Sequence, residues 1–334
     1  MEQPRVSIII INWNGLKDTD KCLNSLKNIT YPDYEVIVVD NCSSSDDANI
    51  LKSRYGEYIR LIRNEKNMGF AGGNNVAIKK ILEEEKSKYI LLLNNDTTVK
   101  SDFLSELVGV AENDSNIGVA TAKLFNPDGS IQRAMRRFPT PIIDFLTFCV
   151  PKVFLSSRIK DFIATSFLRK LLGDKIGSYF WSFEADQPKE IDNASGACLL
   201  VKRETVTQIG LLDEKFFMSS EDIDWSFRAK KAGWKIVYVP TSQVVHYVGK
   251  SFPDRVKKLL YLLYKIESQY YYAQKHYTKI ELLETNIILI LAMILRLPII
   301  SYYYIFRQKN DLVEKYEEVF IKLLLDENKY RVSV

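Results

Sequence analysis

Four short apolar runs in the first hundred residues constrain the fold more than any other feature. "VSIIII" from Val6, "EVIVVD" from Glu35, "IRLIRN" from Ile59 and "YILLLN" from Tyr89 are rich in Ile, Val and Leu and nearly continuous. Strands buried on both faces of a parallel sheet read this way. Between them, Asp20 to Lys27, Asp46 to Tyr55, Asn75 to Glu85 and Asp102 to Ala111 carry helical spacing. Strand alternating with helix predicts an α/β domain with a mostly parallel central sheet, in which ligands bind outside the carboxyl ends of the strands. Polar residues stand at those ends: Asn12, Asp40 with Asn41, Asn64, and the run Asn94, Asn95, Asp96.

A second set of elements follows, with strands expected at Ile117 to Leu124, Ala197 to Lys202 and Lys235 to Val239 and a helix from Glu221 to Gly233. Residues 138–190 lack clear periodicity and read as an inserted helical segment of a catalytic domain spanning 1–250. Residues 251–334 differ in composition. Ten of the 19 tyrosines lie between Tyr247 and Tyr304, and Lys250 to Glu281 holds seven basic residues against three acidic ones. The apolar stretch Thr285 to Phe306 has roughly the 20 residues that a membrane span needs, but Arg296 and Pro298 interrupt it. A span, a segment lying in the bilayer interface, and a helix pair packed on the catalytic domain all fit.

The net charge of +4 is too mild for a nucleic-acid-binding surface, and no zinc-type Cys/His spacing occurs. Four scattered cysteines and an N-terminus without a signal-peptide core predict a reduced, cytoplasmic setting.

Several constellations are candidates for chemistry. In "VVDNCSSSDD", Asp40 ends a strand, where an acid can bind a ribose or base edge or merely cap the next turn. In "NEKNMGFAGGNNVAI", Gly69, Gly72 and Gly73 precede a predicted helix, yet the pattern is neither the dinucleotide fingerprint nor the P-loop. In "LLLNNDTTV", Asp96 offers an oxygen suited to a hard divalent cation, or turns the chain. His246 in "SQVVHYVGKS" ends a strand, as a ligand or a structural residue. In "FFMSSEDIDWSFRAKKAGW", Glu221, Asp222 and Asp224 crowd into four positions among aromatic residues. Acids in a first helical turn complement the helix dipole, and a carboxylate partly desolvated by aromatics moves towards the range of a general base.

Taken in order, "VSIIIINWNG", "VVDNCSSSD", "NMGFAGGNN", "LLLNNDTTV", "SGACLLVKRE", "GLLDEKFFMSSEDIDWSFRAKKAGW" and "VVHYVGKS" resemble a family-2 inverting glycosyltransferase of the GT-A fold, near its rhamnosyltransferase-like branch. The resemblance covers roughly Arg5 to Ser251. It implies transfer of one sugar from a nucleotide-diphosphate sugar (UDP, dTDP or GDP) to a hydroxyl of a saccharide or polyprenyl-linked acceptor. By the same resemblance Asp40 contacts the nucleoside, with Asn12, Asn67, Asn75 and Asn95 around the donor. Asp96 and His246 hold Mg²⁺ or Mn²⁺, Asp222 is the general base with Glu221 as the neighbour that shares its role, and Gly196 and Ala197 lie beside the sugar. Either Glu221 or Asp224 is expected to raise the proton affinity of Asp222.

Asn94 and Asn95 leave one carboxylate where many relatives have two, and the Q-x-x-R-W element of processive members is absent, so single-sugar addition is expected. The protein is expected at the cytoplasmic face of the cell membrane, peripheral or single-span, with the membrane surface and a second copy in a homodimer among its candidate partners. Two competing readings are a catalytically inactive nucleotide-sugar-binding scaffold and a nucleotidyltransferase. The second lacks the Gly- and Lys/Arg-rich run expected near its N-terminus.

Overall fold

The apolar runs become the central strands of one sheet. In the computed structural model, which describes residues 3–132, 135–150, 185–217, 219–247, 255–307 and 309–325, the elements follow in this order. They begin β1 (Val6–Asn12), α1 (Leu16–Leu26), β2 (Tyr34–Asp40), α2 (Asp47–Tyr55), β3 (Ile59–Arg63), α3 (Gly69–Glu84), β4 (Tyr89–Leu93), β5 (Thr97–Val99), α4 (Phe103–Asn113) and β6 (Ile117–Phe125). Next come β7 (Met135–Arg136), α5 (Pro141–Phe148), β8 (Lys189–Glu190), β9 (Asn193–Ala194), β10 (Cys198–Lys202), α6 (Arg203–Ile209), α7 (Glu221–Lys231) and β11 (Lys235–His246). The last are α8 (Arg255–His276), α9 (Lys279–Ile294), α10 (Leu297–Arg307) and α11 (Asn310–Leu325).

The main sheet runs β3-β2-β1-β4-β10-β6-β11-β5, with β8 on β11. Its first half is parallel: β1 pairs in parallel with both β2 and β4, and β2 with β3. Strand β10 then enters antiparallel to both β4 and β6, which makes the sheet mixed. Ile8, Ile9, Ile10, Val38, Leu91 and Leu200 are fully or almost fully buried, as strands covered by helices on both faces require. Chain order reverses at β1, between β2 and β4, so a crevice opens at the ends of these strands. Asn12, Asp40 and Asn94 to Asp96 sit there.

Two elements differ from the reading of the sequence. Helix α3 begins at Gly69, so the glycines form its first turns instead of preceding it. Their missing side chains explain this. A Cβ on Gly69, whose φ is +68°, would lie 2.6 Å from the Phe217 carbonyl oxygen, and one on Gly73 would lie 2.9 Å from Ile11. The helix start can therefore press against β1 and the 217 loop only with glycine at these positions. Strand β11 continues past Val239 to His246, because Pro240 marks a shift of register against β6 and not an end.

The chain divides into two units. The first holds the sheet, α1–α4, α6 and α7. The second contains α5 and α8–α11, around a core of Phe148, Ile266, Leu289, Met293, Leu312 and Tyr316. Within it, Thr278 caps α9 through a reciprocal pairing with Glu281. Buried Asp144 accepts hydrogen bonds from Gln269 (3.1 Å) and Thr285 (3.2 Å). Of the expected insertion at 138–190, α5 and β8 are described; residues 151–184 lie outside the described residues.

Candidate active site

The strand ends carry a continuous hydrogen-bonded chain. Asn12, fully buried at the end of β1, donates to Asp40 Oδ1 (2.9 Å) and Asp47 Oδ2 (3.0 Å) and accepts from Thr19 (2.7 Å). Thr19 in turn accepts from Asn95 Nδ2 (3.0 Å). Asp40, at the end of β2, also accepts from the Ser43 hydroxyl and backbone N–H. Beside it the Asn41 amide donates to Asn67 Oδ1 (2.9 Å) and to the Gly69 carbonyl (3.0 Å), while its oxygen accepts from Asn64 and the Met68 N–H. This ties the loop before α3 to the end of β2.

At the end of β4, Asp96 Oδ1 stands 3.2 Å from His246 Nε2, and the Tyr247 N–H donates to the Asp96 carbonyl (2.8 Å). Strand β5, paired antiparallel with the end of β11, brings these two residues together across 150 positions of sequence. One carboxylate oxygen and one imidazole nitrogen fit a divalent cation that takes its remaining ligands from water and phosphate, as Mg²⁺ commonly does. Consistent with so sparse a protein set, no cluster of three or more His, Cys, Asp or Glu side chains suited to a metal occurs among the described residues.

The Asn94 N–H donates to the Ala197 carbonyl (3.1 Å), which joins this pair to the turn before β10. There the Gly196 N–H donates to Asp222 Oδ2 (2.9 Å). A Cβ on Gly196 would meet the Phe70 ring at 3.3 Å, so glycine lets Phe70 and Asp222 close over the same spot.

The three carboxylates at the start of α7 have separate fates. Asp224 is fully buried and accepts from Arg228 Nε (2.9 Å), while the same guanidinium grips the carbonyls of Ile209 and Leu211. It is a structural ion pair. Glu221 is buried with Oε2 lacking a hydrogen-bond partner, and burial, then the charge of Asp222, push its carboxyl up to about 8. Asp222 is half-buried, held through Gly196 and through the Ile223 N–H on Oδ1. Raised proton affinity is found at Glu221, the more deeply buried of the two carboxylates and the one with an unpartnered oxygen. Just before them, Ser219 and Ser220 take φ of 74° and 73°, a left-handed pair that non-glycine residues seldom adopt.

Proton affinity at Glu221 has a stability consequence. Its folded value lies above the ordinary 4.5, so its contribution is whole below 4.5 and is lost as pH rises through about 8. Denaturation midpoints are expected to fall across that window and to fall less in Glu221→Gln. A decline identical in the two proteins contradicts the burial argument.

Hydrogen bonds, together with adjacency along the chain at Asp40–Asn41, Asn94–Asn95–Asp96 and Gly196–Ala197, thus link Asn12, Asp40, Asn67, Asn95, Asp96, His246, Gly196, Ala197 and Asp222. Asn75 is placed elsewhere. Its amide is spent on Leu212, donating to the carbonyl (2.8 Å) and accepting from the N–H (3.1 Å), and on Glu214 (2.9 Å). Asn75 and Asn12 are both buried, so they brace the site's walls instead of facing open space. Trp225, also buried, donates to the Gly210 carbonyl (2.9 Å) and anchors the loop that Asn75 holds. Asn41 is marked in the sequence as a polar strand-end residue beside Asp40, without a role, whereas Thr19 carries no such signal.

With this geometry in place, the comparisons are decisive for class: a mixed α/β sheet with polar groups converging at its strand ends matches the GT-A fold. Residues 7–186, more than half of the chain, match the profile described as "Glycosyl transferase family 2", and the chain belongs to that family. It is 25% identical over 241 residues to the low-salt glycan biosynthesis hexosyltransferase Agl10 of Haloferax volcanii, covering 72% of this chain and 66% of that protein, just under two thirds. To the N-acetylglucosaminyl-diphospho-decaprenol L-rhamnosyltransferase of Mycobacterium tuberculosis it is 24% identical, covering 73% of this chain and 76% of that one. Among solved structures it resembles the mannosyltransferase PcManGT of Pyrobaculum calidifontis in complex with GDP-Man and Mn²⁺, with TM-score 0.53, 15% identity and coverage of 98% and 89%.

Proposed function

We propose that the chain is an inverting glycosyltransferase that moves one sugar, rhamnose by its likeness to the mycobacterial relative, from a nucleotide-diphosphate sugar to an acceptor hydroxyl on a saccharide or polyprenyl-linked glycan. The observation that carries this reading is the convergence of three hydrogen-bonded groups held together by neighbouring backbone: Asp40–Asn12–Thr19–Asn95, Asp96–His246–Asn94, and Gly196–Asp222 at the start of α7, with the Asn94 N–H on the Ala197 carbonyl. Asp40 accepts hydrogen bonds from the nucleoside. Asp96 and His246 hold Mg²⁺ or Mn²⁺, which when bound supplies positive charge against the departing diphosphate. Asp222 takes the proton from the acceptor hydroxyl, a poor nucleophile until a positioned base removes it. Glu221, kept protonated by burial, adds no second negative charge beside that base.

The donor is tested by calorimetric titration of UDP-, dTDP- and GDP-sugars with and without Mn²⁺. One donor class binding only with the metal is the expected result, and binding of no nucleotide sugar contradicts the reading.

The helical unit supports action at the cytoplasmic face of a membrane. Ile280, Leu283, Ile287, Leu291 and Ile294 form one exposed face of α9, opposite buried Thr285, Leu289, Ala292 and Met293, and Tyr302, Ile305 and Phe306 are exposed on α10. The run Lys279–Arg307 has 29 residues, enough to cross a bilayer by length and composition. It breaks after Ile294, and α9 with 16 residues is about 24 Å long, short of the ~30 Å hydrocarbon core. The interrupting Arg296 is satisfied internally by the carbonyls of Ala292 and Phe148. An apolar face with Lys279, Arg307 and Lys309 at its borders suits the bilayer interface.

Binding to vesicles of anionic lipid is expected to fall at least tenfold in Ile287→Asp/Leu291→Asp. Unchanged vesicle binding, with a dimer that dissociates instead, assigns the face to a second copy of the chain.

A further inference from the structure

His246 owes its orientation to a residue 114 positions earlier. Gln132 follows β6, in a turn closed by its own N–H on the Leu124 carbonyl (2.8 Å) and by Asn126 N–H on the Ser130 carbonyl (2.7 Å). Three oxygens surround its side-chain nitrogen: Nε2 donates to the carbonyls of His246 (2.6 Å) and Phe125 (3.2 Å) and to Asn126 Oδ1 (2.8 Å). Turning the amide over would set Oε1 against the backbone carbonyls of His246 and Phe125, which cannot turn with it. The amide orientation is thereby fixed, and Oε1 is left as an acceptor 3.0 Å from His246 Nδ1.

An acceptor at that distance places the ring proton on Nδ1. The lone pair then lies on Nε2, 3.3 Å from the Asn94 amide nitrogen and 3.2 Å from Asp96 Oδ1. Two electron-rich atoms, Nε2 and Oδ1, are thus held side by side, an arrangement that a cation between them relieves. We propose that Gln132 is a positioning residue: it fixes the His246 tautomer and ring plane so that Nε2 is presented, with Asp96, as a ligand to a divalent cation. This rests on the metal reading given above. Because Gln132 also binds the His246 backbone carbonyl, it holds the ring and the end of β11 as one piece. A second hydrogen-bonding partner that orients a metal-ligating imidazole typically changes affinity 10- to 100-fold when removed.

The chain has only two histidines, so the tautomer can be read directly. Nitrogen-edited NMR of the metal-free, full-length protein, with His276→Gln assigning the signals, is expected to show the Nδ1–H form at His246. In Gln132→Met the Nε2–H form is expected to appear, and affinity for Mn²⁺ alone, followed by electron paramagnetic resonance, to fall 10- to 100-fold. A wild type that binds Mn²⁺ with its proton on Nε2, or a folded Gln132→Met that binds with wild-type affinity, overturns the inference alone. A wild type with the proton on Nδ1 that binds no Mn²⁺ overturns the metal reading and the positioning role with it. Should Gln132→Met fail to fold, the wild-type tautomer decides, and a proton on Nε2 overturns the inference.

Discussion

Asp222→Asn is expected to lower the rate of sugar transfer by about 10²- to 10⁴-fold, the usual contribution of a positioned general base, while leaving donor affinity within a few-fold of wild type. The amide keeps the shape of the side chain and one oxygen for the Gly196 N–H, so the turn before β10 stays in place while the contact with the Ile223 N–H is given up. What it loses is the capacity to accept a proton. Glu221 cannot substitute, because burial holds its own proton at neutral pH. Rates measured at saturating donor, with binding measured separately by calorimetry, separate the two effects. Equal loss of binding and rate would mean that Asp222 shapes the pocket and does no proton transfer.

Asp224→Ala is expected to destabilise the protein by about 3–5 kcal/mol, the cost of leaving one partner of a buried ion pair without the other. Arg228 would remain among the carbonyls of Ile209 and Leu211 with no carboxylate to balance it. In an Arg228→Met background the same substitution should cost much less, since the uncompensated charge is then gone. Chemical denaturation of the four proteins of this cycle gives the coupling directly. Independent, additive effects would contradict the ion-pair account. The three crowded carboxylates are thus compatible for physical reasons: Asp224 is paired with Arg228, burial holds the proton on Glu221, and Asp222 accepts from the Gly196 and Ile223 N–H groups.

The sheet was legible in the sequence because buried parallel strands leave a strong local mark. The runs at Val6, Glu35, Ile59 and Tyr89 fall on β1, β2, β3 and β4. The start of α3 was less legible, since Gly69, Gly72 and Gly73 read locally as a loop, and only their neighbours, the Phe217 carbonyl and Ile11 among them, show why a helix needs them. Pro240 misled in the same way, ending a strand by local propensity where the ladder merely bulges. Site positions at strand ends, Asp40 and Asp96, could be found because sheet topology tells where ligands go. Pairings across the chain left no such mark. Nothing in the sequence pairs Asn75 with Leu212 or Gln132 with His246, and the i,i+4 spacing of Asp224 and Arg228 marks a helical ion pair without showing that Asp224 is a fully buried carboxylate.

Transfer of a sugar by this site is tested by turnover of the wild-type, detergent-purified protein. It is supplied with Mn²⁺ or Mg²⁺, the nucleotide sugar that binds, and a panel of free and polyprenyl-linked saccharide acceptors. The account predicts one sugar added per acceptor with inverted anomeric configuration, and loss of that product in Asp222→Asn. Donor binding with no transfer across the acceptor panel, or a product of retained configuration, would contradict it.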